Sequence, residues 1–230
     1  MDKLEQYLAE MGQITESDSR LLRQIAYERL HEAIKHAQLE PGEPLSETRI
    51  SKALGISRTP VREALQQLVR EGLLQVIPGR AITVAAPSVQ EVLDALHVRE
   101  LLEPELVRLI AESLNGEELK TLQELTEEME RAARAGDRPA WSKADIKWHE
   151  TLCNNCPNRL LGQMVLQARN RIYNKVADEH VPTQYLIEGT LEHKQIVEAL
   201  SSHDGQRVEQ LMLDHIRNVR ENMFKRLFRD

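Results

Sequence analysis

Apolar and polar positions alternate along this chain in a way that divides it into segments. Residues 1–19 show little periodic apolar pattern and end in the polar run Thr15-Glu16-Ser17-Asp18-Ser19, which predicts a flexible or weakly helical arm. From Leu21 onward, Leu22, Ile25, Ala26, Leu30, Ala33 and Ile34 recur at the spacing of one helix face, and Pro41-Gly42 stops the run. Ser46 then offers an N-cap for a short helix with Ile50, Ala53 and Leu54 inward, closed by Gly55 as a left-handed C-terminal residue. Ser57 is the expected cap of a third helix, with Pro60 in its first turn and Val61, Ala64, Leu65 and Leu68 as its buried stripe. Two helices joined through Leu54-Gly55-Ile56-Ser57 make a helix-turn-helix.

After Gly72 the period changes. Leu73 to Ile77, the turn Pro78-Gly79-Arg80, and Ile82 to Val84 read as a small β-hairpin, a wing beside the helices. Beyond Pro87 only helical patterns remain, over about 88–114, 117–135, 139–153, 158–181, 183–200 and 206–228. Pro104, inside the first of these, predicts a kink or a junction between two helices, because proline removes a backbone donor and crowds the preceding turn. The expected fold is therefore mainly α. An N-terminal arm (1–19) precedes a winged helix-turn-helix of three helices and a hairpin (20–86), and an all-α bundle of about six helices follows (87–230).

Charge sharpens the division. The chain carries a formal net charge of −7, which alone argues against a nucleic-acid partner. Residues 20–86, however, hold ten Lys/Arg against seven Asp/Glu, whereas residues 1–19 hold one against five and residues 87–230 hold 19 against 25. The basic excess sits in the segment with the helix-turn-helix. No apolar run of about 18 residues is present to span a bilayer, and the acidic start Met1-Asp2-Lys3-Leu4-Glu5 lacks the features of a signal peptide, so a cytoplasmic protein is expected. Two cysteines, Cys153 and Cys156, are too few for a disulfide framework. Their Cys-x-x-Cys spacing has no second pair to complete a zinc site, and Pro157 places them at a turn, so they are read as structural.

With the apolar stripe of the third helix facing the core, Arg58, Thr59, Arg62 and Gln66 are left outward, three of them near the helix N-terminus. Recognition helices place their N-terminal residues against base edges, and arginine matches guanine O6 and N7 bidentately. Arg49 on the preceding helix can clamp a phosphate, and Ser57 and Thr59 offer hydroxyl donors beside the helix amides. Gly79 and Arg80 at the wing tip are placed to reach the neighbouring minor groove. These residues also carry a resemblance. Leu45-Ser46-Glu47, then Leu54-Gly55-Ile56-Ser57-Arg58-Thr59-Pro60-Val61-Arg62-Glu63-Ala64-Leu65, with Leu68 and Glu71-Gly72-Leu73, closely resembles the GntR family of bacterial regulators. The resemblance implies DNA contacts at Arg49, Arg58, Thr59, Arg62 and Gly79. The wing departs from the family, which usually has Arg-Gly where this chain has Pro78-Gly79-Arg80-Ala81.

In the second half, Asp145 and His149 lie four apart on one helix face, and His193 and His215 fall on two later helices. Three histidines and a carboxylate suit Zn2+ or a similar divalent ion, although spacing alone does not separate them from other histidines such as His36 and His203. This half resembles the FCD effector domain of the FadR subgroup. The resemblance rests on Val98-Arg99-Glu100-Leu101-Leu102-Glu103-Pro104, on Ala144-Asp145 to Trp148-His149 with Asn158 and Leu160-Leu161, on Glu192-His193 with Ile196 and Ala199-Leu200, and on His215. It implies a divalent ion held by Asp145, His149, His193 and His215, with Zn2+ first and Ni2+ or another metal as alternatives. Open coordination positions would admit a small organic carboxylate, with Arg99 as the first residue to pair with it; its alternative reading is an ordinary ion pair. Arg169, Asn170 and Arg171 are further pocket candidates.

The expectation is a ligand-responsive, sequence-specific transcription regulator rather than an enzyme, binding double-stranded operator DNA as a homodimer. A direct metal sensor and a metalloenzyme fused to a DNA anchor are the alternatives, and the second finds no nucleophile motif or phosphate loop in its favour.

Overall fold

The computed structural model describes residues 3–12, 14, 19–35, 39, 42–77, 81–85, 87–176 and 182–227. The chain forms two compact units, the first built on residues 1–88 with 170–175 and the second on 89–169 and 176–230. Each has its own apolar core.

In the first unit, α2 (Ser19–Lys35) packs against α4 (Arg58–Arg70), with α3 (Glu47–Leu54) beside them. Ala26, Leu30, Ala33 and Ile34 of α2 meet Val61, Ala64, Leu65 and Leu68 of α4 in the core. Each leucine buried in this way contributes about 1.5–3 kcal/mol. Local signals set the turn between α3 and α4. Ser46 Oγ accepts from the Arg49 amide, and Gly55 closes α3 at φ 72°, in the left-handed region that costs glycine nothing. Ser57 stands at the N-cap position of α4 but makes no side-chain capping bond.

Two features of this unit sharpen the sequence reading. The N-terminal arm, expected to be flexible or weakly helical, holds a helix, α1 (Lys3–Glu10), whose Leu4 and Leu8 lie i, i+4 on one face, are buried, and pack with α2 and α3. The Ile14 amide donates to the Leu54 carbonyl, tying the chain after α1 to the end of α3. The hairpin is one part of a three-stranded antiparallel sheet in the order β1-β3-β2, made of β1 (Pro44–Leu45), β2 (Leu74–Ile77) and β3 (Ala81–Val84). Leu74 pairs with Val84 and Ile77 with Ala81 across the hairpin, while Pro44 pairs with Thr83 on the other edge of β3. The wing turn at 78–80 lies outside the described residues.

The second unit is a bundle of α5 (Val89–Ser113), α6 (Gly116–Ala135), α7 (Arg138–Asn155), α8 (Arg159–Val176), α9 (Thr183–Ser201) and α10 (Gly205–Leu227). Helix α5 is continuous through Pro104, so this residue does not divide it. Asn115 and Glu118 form a capping box at the start of α6, Gly136 ends it at φ 67°, and Asp137 caps α7. Helix α5 packs along α10, and α6 along α7 and α9, around Leu106, Ile110, Leu122, Met129, Trp148 and Ile216.

Candidate functional site

On the first unit, Arg58, Thr59 and Arg62 are all exposed on α4, and Arg49 is exposed on α3. Because Ser57 leaves the first turn of α4 uncapped by its side chain, the helix amides and the hydroxyl there can meet a phosphate. Arg62 is not isolated. Its Nε and Nη2 donate to the Glu47 carboxylate at 3.0 and 2.9 Å, a two-pronged pair between α4 and the first turn of α3. Gly79 and Arg80 lie outside the described residues.

On the second unit, α7, α9 and α10 each deliver one imidazole to a common point. The candidate ligand atoms of His149, His193 and His215 lie within 4.8 Å of one another, and all three side chains are buried. His149 Nε2 is 3.2 Å from His193 Nε2. Asp145, one turn before His149 on α7, stands outside this mutual triad but brings Oδ1 to 3.3 Å from His193 Nε2 and 3.6 Å from His149 Nε2. Ligands at about 2.0–2.1 Å from one ion stand about 2.9–3.4 Å apart for right-angled to tetrahedral geometry, which the 3.2 and 3.3 Å separations meet and the 3.6 Å separation of Asp145 from His149 exceeds slightly.

The opposite ring nitrogens support the same reading. His193 Nδ1 is 2.6 Å from the Gly189 carbonyl and His215 Nδ1 is 2.7 Å from Glu192 Oε2, so each donates outward and turns Nε2 inward. Glu192 is itself held by the Asn218 amide at 2.7 Å. The Trp148 ring packs edge-on against His149 and His193, with centroids 4.8 and 4.4 Å away. Burial pushes the His149 imidazole well below its usual range, and the Arg169 charge and neighbouring histidines act in the same direction. His215 is lowered by burial too, against the opposing pull of Glu192. Burial alone would raise Asp145, but His193 and Arg169 outweigh it and hold the carboxyl below its ordinary value. At neutral pH these directions leave His149 and His215 with free lone pairs beside an ionised carboxylate, a donor set that can hold a divalent ion.

Arg99 is 4% exposed and donates from Nε to Glu103 Oε1 at 2.5 Å, four residues along α5. The ion pair is what the structure shows of this residue, although its side chain also borders a cavity. Arg169 spans Glu103 Oε2 at 3.4 Å and Asp145 Oδ2 at 3.6 Å, linking the cationic group to the candidate ligand set. Against burial, Arg99 and Arg169 keep the Glu103 carboxyl below its usual range. The cavity beside the triad measures about 120 Å³ and is lined by Arg99, Arg138, Arg169, Trp141, Tyr185 and Asn222 among others. Of the three candidates on α8, Arg169 borders it, whereas Asn170 and Arg171 do not.

Sequence reasoning missed Glu192, Glu103 and Asn218 as partners of the site. Glu103 at i+4 from Arg99 is a readable helix pair, but the Glu192–His215 contact joins two helices and leaves no periodic trace. Cys153 and Cys156 are free and buried, and burial lifts the Cys153 thiol to about 12, in line with a structural role.

Comparison with known proteins adds the family. Residues 22–84 match the bacterial regulatory proteins of the gntR family, and residues 94–218 match the FCD domain. The chain belongs to the GntR family of regulators with an FCD domain. It is 27% identical over 205 residues to the HTH-type transcriptional repressor RspR of Escherichia coli, covering 88% of this chain and 89% of that protein. It is likewise 27% identical over 203 residues to the regulator YdhC of Bacillus subtilis, covering 86% and 88%. The fold matches Escherichia coli McbR/YncC with a TM-score of 0.78 at 24% identity, covering 90% of this chain and 98% of that one. A GntR regulator from Rhodococcus sp. RHA1 follows the same fold with a TM-score of 0.72 at 20% identity, covering 88% and 97%. This GntR member is thus a DNA-binding transcription regulator, and its relatives are regulators rather than enzymes. Among the described residues no helix is long and apolar enough to cross a membrane.

Proposed function

We propose that this regulator is switched by a small organic acid that binds beside a divalent metal ion in the FCD domain. The observation that carries the reading is the buried triad His149, His193 and His215, with Asp145 against two of its members and an arginine-lined cavity at its side. The four residues would hold the ion, with Zn2+ favoured and Ni2+ an alternative, since imidazole and carboxylate donors suit either. A bound ion supplies open coordination positions for a carboxylate oxygen. Arg169 and Arg99 supply the countercharge, Arg169 from its looser contacts and Arg99 from beside Glu103. The cavity is comparable in size to the engineered cavity of about 150 Å³ that takes benzene, so the effector is a molecule of few heavy atoms.

On the DNA side, Arg58, Thr59 and Arg62 read the major groove from α4, and Arg49 and Ser57 bind phosphates. Gly79 and Arg80 complete the contacts from the wing by family resemblance. A homodimer follows from the two-fold logic of operators that such helices read. Effector binding shifts the population between states that differ in operator affinity.

The test is metal content of the purified protein, followed by thermal shifts of metal-loaded and stripped protein with small carboxylates, sugar acids and amino acids. A true effector at a hundredfold excess over its dissociation constant stabilises by about 2.7 kcal/mol. One ion per chain and a carboxylate that stabilises only the loaded form are expected. No metal, or no dependence of ligand response on it, overturns the effector reading. Operator binding that tracks metal and ignores every acid assigns the signal to the ion itself.

A further inference from the structure

A guanidinium has two edges that can each bond a planar acceptor pair: the side edge made by Nε and one terminal nitrogen, and the end edge made by both terminal nitrogens. In Arg62 the side edge is committed. Nε donates to Glu47 Oε1 and Oε2 at 3.0 and 3.1 Å, and Nη2 donates to Oε2 at 2.9 Å. This pairing leaves the end edge, which is the fork that guanine O6 and N7 accept. The Arg62 side chain is 56% exposed and that of Glu47 is 26% exposed, so the pair stands at the surface rather than in the core. Glu47 is the first residue of α3 and Arg62 lies one turn into α4, and the two helices are locked by the turn at Gly55. Arg58 adds a second positive charge near the same carboxylate.

Two physical consequences follow. An unrestrained arginine loses rotamer entropy when it is fixed on a base, and a side chain already anchored by a carboxylate has lost part of it beforehand. The carboxylate also repels phosphates, so its charge weakens binding to any duplex while its geometry favours the right one. Both effects widen the gap between specific and non-specific binding.

We propose that Glu47 is a positioning residue for base reading, anchoring the side edge of Arg62 so that the end edge is presented to a guanine in a fixed orientation. The proposal rests on the reading of Arg62 as a base-contacting residue, and the experiment separates the two.

The full-length protein and its Glu47→Gln, Arg62→Ala and Arg62→Lys variants are each used to select sites from a randomised DNA duplex library. Affinities are then measured for the wild-type selected duplex, its single-base variants and an unrelated duplex of equal length. Wild type shows a guanine preference that both Arg62 variants lose, because lysine keeps the charge but not the fork. Glu47→Gln lowers discrimination at that same base pair by about three- to tenfold, part of what one bidentate contact supplies, while affinity for the unrelated duplex is unchanged or higher. Undiminished discrimination in Glu47→Gln, with the Arg62 variants losing it, overturns the positioning role alone. Parallel loss of both affinities with a lower melting temperature in Glu47→Gln makes the pair a structural brace and also overturns it. A guanine preference that survives Arg62→Ala overturns the reading of Arg62 itself.

Discussion

The Nε2 atoms of His149 and His193 lie 3.2 Å apart although 44 residues separate them in the chain. A simple hydrogen bond between them requires one proton and one lone pair. His193 Nδ1 donates its N–H to the Gly189 carbonyl, and in that tautomer Nε2 carries the lone pair. His215, donating from Nδ1 to Glu192, is left in the same state. The outer partners thus turn lone pairs toward the shared point, as the second layer of a metal site does.

Replacing Glu192 by Ala is therefore expected to weaken divalent-metal affinity by about 10–100-fold, while His193→Ala abolishes stoichiometric binding. Competition against a chromophoric chelator measures both. Unchanged affinity in Glu192→Ala would show that the His215 contact is an ordinary ion pair between α9 and α10.

The N-terminal helix carries an expectation of its own. Leu8 is fully buried among α1, α2 and α3, so Leu8→Ala removes packed methyl groups at about 2–5 kcal/mol. Amide exchange reads the effect: α1 and α3 lose protection, and α5 to α10 keep theirs. If exchange in α3 is untouched, α1 is an appendage that contributes nothing to the helix-turn-helix.

How far the sequence could be read depends on the range of the determining contacts. The six helices of the second unit are set by local periodicity and caps such as Asn115, Gly136 and Asp137, and their limits agree with the expected ones within a few residues at the ends that can be compared. Strand β1 could not be read, since two residues beginning with a proline carry no pattern and their pairing is decided by Thr83 and Ile82, almost forty residues away. For α1 the short apolar pattern of residues 1–19 supports no more than a weakly helical arm, because the stability of this helix comes from packing Leu4 and Leu8 on α2 and α3. Pro104 follows the same logic, because its burial within α5 outweighs the missing amide. The four ligand candidates were named by resemblance. Their convergence, and the role of Glu192, depend on packing between α7, α9 and α10.

Cys153 yields a prediction about pH. Burial raises its thiol from about 9 to about 12, so the folded protein keeps it protonated where an unfolded chain would ionise it. Its contribution to stability is therefore complete below about pH 9 and is lost as pH rises toward 12. At pH 8 the native protein should give almost no rapid reaction with a disulfide reagent, with both cysteines appearing on denaturation. Fast labelling of Cys153 under native conditions would contradict the buried, inert assignment.

The junction of α7 and α8 offers the last test, through a close backbone approach. A Cβ placed on Gly162 would lie 2.2 Å from the Cys153 carbonyl oxygen, whereas one on Gly116 meets nothing within 4 Å. The obstruction is backbone, so it cannot be relieved by turning a side chain, and α8 must move away from the end of α7. Cys153 is one helical turn from His149, so that displacement reaches the metal-ligand candidates as well. Gly162→Ala should destabilise the second unit by about 1–3 kcal/mol and weaken metal binding, because packed cores do not absorb such an overlap freely. Gly116→Ala, at the first position of α6, is the matched control and should be neutral or gain about 0.4–1 kcal/mol. Denaturant unfolding monitored at α7 together with the chelator assay distinguishes them. Equal stability of the two variants would mean that the α7–α8 contact yields easily, and that the histidine triad is positioned by α9 and α10 rather than by this junction.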